Sequence, residues 1–215
     1  MMRIVKPEIL DSLPFNHPDA LLNRRDLRRI HSCFRTFSWF SQTLATHLKS
    51  FKVTPPILEI GAGEGDLIRF LEKSGNKIDG LDLVPASSGR SEGSQWFQAD
   101  IFTFQDWTDY PVIMANLILH QFQEADLKTL GERIQQSRLC IFNEPLRTRF
   151  HQLSYRGFAR LMRMNHVSRH DGEVSIQAGF YGQELPLLLG LRNSDWEWSI
   201  GSTVTGFYRC VGRRK

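Results

Sequence analysis

Glu59 stands two residues ahead of three glycines at alternate positions, Gly61, Gly63 and Gly65. The apolar run Ile57-Leu58-Glu59-Ile60 before them reads as a buried strand, and Asp66 to Lys73 after them has apolar residues at helical spacing. A strand that turns through glycines into a helix brings its backbone close to a nucleotide-like ligand. A phosphate loop would end in Lys and Ser or Thr, and this loop carries neither. Asp82 follows about 20 residues later, where a carboxylate accepts hydrogen bonds from ribose hydroxyls; Asp79 is a rival in the same segment. Both could instead cap a turn. For proton transfer the candidates are His120, which closes a long apolar segment, and the adjacent pair His170 and Asp171. An unperturbed imidazole titrates near physiological pH, which suits a general base. His120 could also only pack or cap, and adjacent residues such as His170 and Asp171 often point apart.

These residues need a scaffold. Strands are predicted at 57–60, Lys77–Leu83, Gln95–Ala99, Val112–Asn116 and Arg138–Asn143, alternating with helices or loops. Alternation of this kind predicts a mostly parallel sheet with helices on both faces. Residues 1–18, with Pro7, Pro14 and Pro18, read as irregular, and Asp19–Ile30 and Phe34–Ser50 as two helices. Pro85 to Ser94 is rich in Ser and Gly and predicts a loop or a short turn. Beyond the fifth strand, 147–164 reads as a helix, 165–180 as a polar loop and Gly182–Leu189 as a shorter helix. Trp196–Ile200, a Gly-Ser turn at 201–202 and Val204–Val211 read as a terminal hairpin.

The pattern Glu-x-Gly-x-Gly-x-Gly resembles motif I of the class I S-adenosylmethionine-dependent methyltransferases. A Rossmann dehydrogenase binding NAD has a similar loop, but would not be expected to carry Pro-Val-Ile-Met-Ala-Asn-Leu-Ile-Leu-His-Gln-Phe at 111–122. That segment is similar to the methyltransferases' fourth strand and its exit, where the chain passes between cofactor and substrate. The resemblance implies an α/β, Rossmann-like fold: a mostly parallel seven-stranded sheet ending in an antiparallel hairpin, with a helical N-terminal cap at 1–54. The catalytic domain would span 55–215, with a substrate-side insert at about 144–190. The implied cofactor is S-adenosyl-L-methionine, held by Glu59, Gly61, Ala62, Gly63, Gly65, Asp82, Leu83, Asp100, Ile101 and Asn116. Its amino-acid end is cationic, so a carboxylate suits it. Asp100 would face the adenine amino group, with Ile101 packing on the ring, unless Asp100 is only a cap.

Asp26–Ile30, Asn143–Arg147 and Ser168–Gly172 are also similar to a bacterial subgroup acting on polyketide-type or other phenolic and hydroxylated small molecules. This implies a small, aromatic or hydroxylated acceptor, with transfer to oxygen favoured and His120 first choice as base. Arg35, Glu144, Arg147, His151 and Arg169 are the substrate-binding candidates, and His31 could line the lid with Arg35. A structural ion pair of Glu144 with Arg147 or Arg169 is the plainer alternative. Asn116 is followed by Leu-Ile-Leu rather than Pro-Pro and an aromatic, which lowers the case for methylation of base or amide nitrogens.

The chain has 215 residues, of which 41% are hydrophobic, and a formal charge of +4. That fits one domain with an appendage and is far from a nucleic-acid-binding excess. Arg24, Arg25, Arg28 and Arg29 form a basic strip interrupted by Asp26, which keeps an RNA methyltransferase as an alternative; a non-catalytic S-adenosylmethionine-binding protein is another. Cys33, Cys140 and Cys210 have no metal-ligand spacing, so no metal is expected. No signal segment or run of about 18 apolar residues is seen, so the expectation is a cytoplasmic protein off the membrane, a monomer or homodimer with a small-molecule substrate and no nucleic-acid partner.

Overall fold

A computed structural model describes residues 1–86 and 93–215. Most of the loop expected between Pro85 and Ser94 lies outside the described residues. Seven strands form one sheet, β1 (Ile57–Ile60), β2 (Asp79–Asp82), β3 (Trp96–Gln98), β4 (Val112–Asn116), β5 (Leu139–Pro145), β6 (Trp196–Ser202) and β7 (Phe207–Arg214), in the order β3-β2-β1-β4-β5-β7-β6. β1 to β5 pair in parallel; β7 runs antiparallel between β5 and β6. The chain winds outward from β1 through β2 to β3, then returns to start again at β4 on the other side of β1. The carboxyl ends of β1 and β4 therefore flank the point where strand order reverses, the place where open α/β sheets bind ligands.

The inner strands are buried on both faces, as parallel strands covered by helices must be. Along β4, Val112 and Met114 enter one core and Ile113 and Ala115 the other. The first core is completed by Phe40 and Leu44 of α3 (Thr36–His47) and by Leu67, Ile68 and Leu71 of α4 (Asp66–Glu72). The second takes Leu127, Leu130 and Ile134 of α5 (Glu124–Ile134) and Leu185 of α8 (Glu184–Leu188). α5 and α8 meet so closely that a Cβ on Gly131 would lie 1.7 Å from the Leu189 carbonyl oxygen.

The carboxyl edge of the sheet is covered by α1 (Ile9–Ser12), α2 (Pro18–Cys33), α6 (Arg149–Leu161) and α7 (His166–Ala178). α7 corrects the sequence reading of 165–180 as a loop. Its inward positions include Ser168 and Asp171, which obscure the apolar stripe of Val167, Val174 and Ala178. Those polar side chains are buried with partners on other elements: Asp26 of α2 accepts from the Ser168 hydroxyl, and Asp171 from the backbone of α1. Residues 1–18 likewise hold the one-turn α1 rather than being irregular throughout. The break between α2 and α3 falls at Arg35, in the left-handed region at φ 52°, so α2 extends past Ile30 and α3 begins after Phe34. The terminal hairpin turns at 203–206 rather than 201–202. No helix among the described residues is long and apolar enough to cross a membrane.

Candidate functional site

A cavity of about 820 Å³ opens over the carboxyl ends of β1, β2 and β4, roofed by α1, α2, α6 and α7. Its volume lies near the top of the range for small-molecule sites. At its floor the glycine loop leaves β1 with the Gly61 and Ala62 N–H groups on the Leu81 carbonyl at 2.9 and 3.3 Å. Gly61 and Gly63 have φ of 65° and 56°, a conformation side chains resist. A Cβ on Gly61 would strike the Ile118 side chain at 2.5 Å, whereas one on Gly63 would meet nothing within 4 Å and project into the cavity. Asp82 accepts from the Gly63 N–H at 2.7 Å and the Val84 N–H at 3.0 Å, so one carboxylate ties the loop to the end of β2 and still faces the cavity.

Glu59 lines the same floor, 2% exposed, and its Oε2 has no hydrogen-bond partner. Burial, with the charges of Asp82 and Asp66 added, pushes its carboxyl well above the usual range. A buried acceptor without a donor costs about 1–3 kcal/mol, which a cationic ligand group at this point would recover. Glu59, Gly61, Ala62, Gly63, Asp82, Leu83 and Asn116 all line the cavity. Gly65, Asp100 and Ile101 do not. Gly65 turns the loop into α4 at φ 74°, Asp100 is exposed and accepts from the Phe102 N–H, and Ile101 packs on the core. Asp100 thus takes the capping alternative in this structure.

The second half of the site is the exit of β4. Leu117 follows Asn116 at φ 58°, unusual for a branched residue. The turn is held by Glu144 at the end of β5, which is fully buried. Its carboxylate collects the N–H groups of Ile118, Leu119 and His120 at 3.1, 2.9 and 3.3 Å and the His120 Nδ1 at 2.7 Å. The other ring nitrogen, Nε2, lies 3.3 Å from Oε1 of Glu8. With both acids ionised, both nitrogens donate and His120 is an imidazolium clamped between two carboxylates. Burial opposes this charge, but the hydrogen bonds and charges of Glu144 and Glu8 outweigh it and raise the pKa to about 9.

This corrects two expectations. His120 lines the cavity, yet as an imidazolium it has no lone pair to take a proton, so in that state it is not the general base. Glu144 is saturated by its own chain and is a strut rather than a substrate ligand. Glu8, the second acid on the ring, lines the cavity. Burial pushes its carboxyl up, but hydrogen bonds from His120, Ser175 and Gln121 bring it below the usual range.

The remaining candidates separate by place. His151 lines the cavity with its ring engaged: Nε2 donates to the Val204 carbonyl at 3.2 Å and Nδ1 accepts from the Thr148 hydroxyl at 2.7 Å. Asp171 also lines it but is committed to the Ile9 and Leu10 N–H groups at 2.8 and 3.0 Å, and to His170 Nδ1 at 2.9 Å. His170 itself is exposed and outside the cavity, so the pair is not a base and its orienter there. Arg35 and Arg169 are exposed and outside it as well. Arg147 points away, ion-paired with Glu184 and bonded to the Gly179 carbonyl. Of the basic strip, Arg24 and Arg28 pair with Glu64, and Arg25 and Arg29 with Asp26. Sequence reasoning missed Glu8 and Asn23 altogether. The spacing of Glu8 and Asp11 signals only a capping box, and nothing in the chain's order ties Glu8 to His120, 112 residues away. Among the described residues no group of three or more His, Cys, Asp or Glu could hold a metal ion.

No family model matches the sequence, and no curated protein matches it. Solved structures do share its fold. The plantazolicin methyltransferase BpumL in complex with SAH aligns with a TM-score of 0.69 at 15% identity, over 94% of this chain and 92% of that one. Human N-acetylserotonin methyltransferase in complex with SAM aligns at 0.52 and 14% identity, over 94% of this chain and 60% of that one. A SAM-dependent methyltransferase from Anabaena variabilis aligns at 0.56 and 12% identity, over 80% and 82%. The chain has the Rossmann-like methyltransferase fold, with the antiparallel terminal hairpin that the resemblance implied.

Proposed function

We propose that the protein is an S-adenosylmethionine-dependent methyltransferase acting on a small molecule with an aromatic body. The observation that carries this is the floor of the cavity: a positive-φ glycine open to the ligand, Asp82 beside it, and at Glu59 an unpartnered buried carboxyl whose ionised form a cation would favour. That set fits a ligand with a cationic amino-acid end next to a ribose. When bound, the cofactor supplies a methyl group on a cationic sulfur, and the protein's task is to position the acceptor and exclude water.

The roof suits such an acceptor. Phe34, Phe37, Phe158 and Phe207 line the cavity, and Phe34 packs against both Phe158 and Phe207 with ring centroids 5.2 and 5.7 Å apart. Aromatic walls favour an aromatic guest. Residues 1–54 and the insert at about 144–190 act in this reading as a cap on the catalytic domain. Transfer to a hydroxyl oxygen is the favoured expectation within this reading. The arginine strip gives an RNA substrate no support, because each of its four arginines has a carboxylate partner within the chain.

Calorimetric titration with S-adenosylhomocysteine tests the cofactor assignment. Saturable binding is expected for the wild type, and none for Gly63→Arg, whose side chain enters the cavity at the loop. No binding at about 1 mM ligand, above which the free energy falls below ~4 kcal/mol, would contradict it.

A further inference from the structure

The acceptor end of the cavity is acidic and rich in hydrogen-bond acceptors. Glu8, Asp11 and Asp171 all line it, with Glu8 only 9% exposed. The three carboxylates sense one another: burial raises the Asp11 carboxyl, and the charges of Glu8 and Asp171 raise it further. Glu144 adds a fourth negative charge behind His120. The cations nearby are engaged: His120 is clamped as described, Arg3 spends its guanidinium on the carbonyls of Ala178, His120 and Phe122, and Arg24 and Arg28, which also line the cavity, pair with Glu64. The balance of this corner is negative.

A second observation points the same way and does not depend on those charges. Asn23 of α2 lines the cavity at 3% exposure, and its Oδ1 has no hydrogen-bond partner. His31, two turns further along the same helix face, also lines it with an unpartnered buried Nδ1. Burial holds this imidazole down at about 4, so at neutral pH the ring is uncharged. The same cavity thus holds an amide oxygen that the chain leaves without a donor, and a neutral imidazole nitrogen without a partner. An anionic group, a phenolate included, would meet repulsion here, and a neutral apolar group would leave these acceptors unsatisfied.

We infer that the corner formed by Glu8, Asp11, Asp171 and Asn23 is a subsite for an organic ammonium group carried by the methyl acceptor. An ammonium has three N–H donors and no acceptor, which matches an acceptor-rich, negatively charged corner beside aromatic walls. Glu8 is the principal contact: His120, Gln121 and Ser175 fix its carboxylate at the edge of the β4 exit. The inference deepens the methyltransferase reading by naming the class of acceptor, and rests on that reading only for calling the guest an acceptor.

The test uses three probes of one shape: 2-phenylethylamine, 2-phenylethanol and 3-phenylpropionate. Each is titrated by calorimetry into the wild-type protein, with and without saturating S-adenosylhomocysteine. The amine is expected to bind about tenfold or more tightly than the alcohol, and the acid not at all. Glu8→Gln, and independently Asp11→Asn, should reduce the preference for the amine while leaving S-adenosylhomocysteine affinity unchanged. Asp11→Asn guards against a folding defect in the more buried Glu8 variant, and a thermal melt checks both. Equal binding of amine and alcohol, no binding of the amine, or a preference untouched by both variants would overturn the subsite. Failure of S-adenosylhomocysteine to bind, with the amine preference intact, would strike only the cofactor assignment.

Discussion

His120 shows how a residue can be in the right place with the wrong protonation for the role its place suggests. A histidine at the exit of β4 is a natural choice for a base until its two partners are seen. Between Glu144 and Glu8 it becomes a fixed positive charge that lets a carboxylate be held at the acceptor side. Its pKa is raised from 6.5 to about 9 on folding, so the stabilisation is fully present below pH 6.5 and is lost as pH climbs toward 9. The linkage is of order 3 kcal/mol. Urea unfolding of the wild type between pH 6 and 9 should show this loss, and His120→Gln should flatten the slope. Matching slopes in the two proteins would mean that His120 is neutral. At pH 6, His120→Ala should cost about 3–5 kcal/mol, because it removes the cation between two buried carboxylates.

At the level of elements, polar struts join the helices over the site in addition to their apolar contacts. Asp26, 1% exposed, links α2 to α7 by accepting from the Asn165 N–H at 2.8 Å and the Ser168 hydroxyl at 3.1 Å. Asp171 does the same for α1, and Arg3 fastens the chain start to the ends of α7 and the β4 exit. Removing an acceptor from buried donors costs about 1–3 kcal/mol. Asp26→Ala should therefore lower stability by that amount. Hydrogen exchange should rise at the N-terminal turn of α7 and stay unchanged in β1 and β4. Uniform acceleration across the sheet would show that α2 and α7 fold as one unit with it. The same struts explain why α7 escaped the sequence pattern: Ser168 and Asp171 interrupt its buried apolar face because their partners are polar.

Across the whole molecule, one cavity couples both halves of the chain. The sheet provides its floor, and α1, α2, α6 and α7 its roof. A ligand filling the floor binds only the folded state, so at a concentration 100 times its dissociation constant it adds about 2.7 kcal/mol. For a chain of this size that corresponds to a rise in Tm of about 5–10 °C. S-adenosylhomocysteine should produce such a shift in the wild type. Glu59→Gln should retain the fold and lose most of the shift, since it removes the carboxylate that faces the ligand's cationic end. A full shift in the variant would place that end elsewhere.

The glycine loop, Asp82, the alternation of strands and the terminal hairpin were legible in the amino-acid order, because each is local. Gly61 and Gly63 need positive φ wherever the loop goes, and the alternation of buried apolar runs with helical ones dictates a parallel sheet. From those alone the floor of the site and the fold follow. The roof does not. Glu8 meets His120 across 112 positions of sequence, Asp26 meets Ser168 across 142, and Asp171 reaches back to Ile9 across 162. No periodicity records such pairings, since a polar residue buried against a distant partner looks in sequence like one facing solvent. Only the tertiary structure could decide that His120 holds its proton, that Glu144 is a strut, and that the acidic corner belongs to the N-terminal segment.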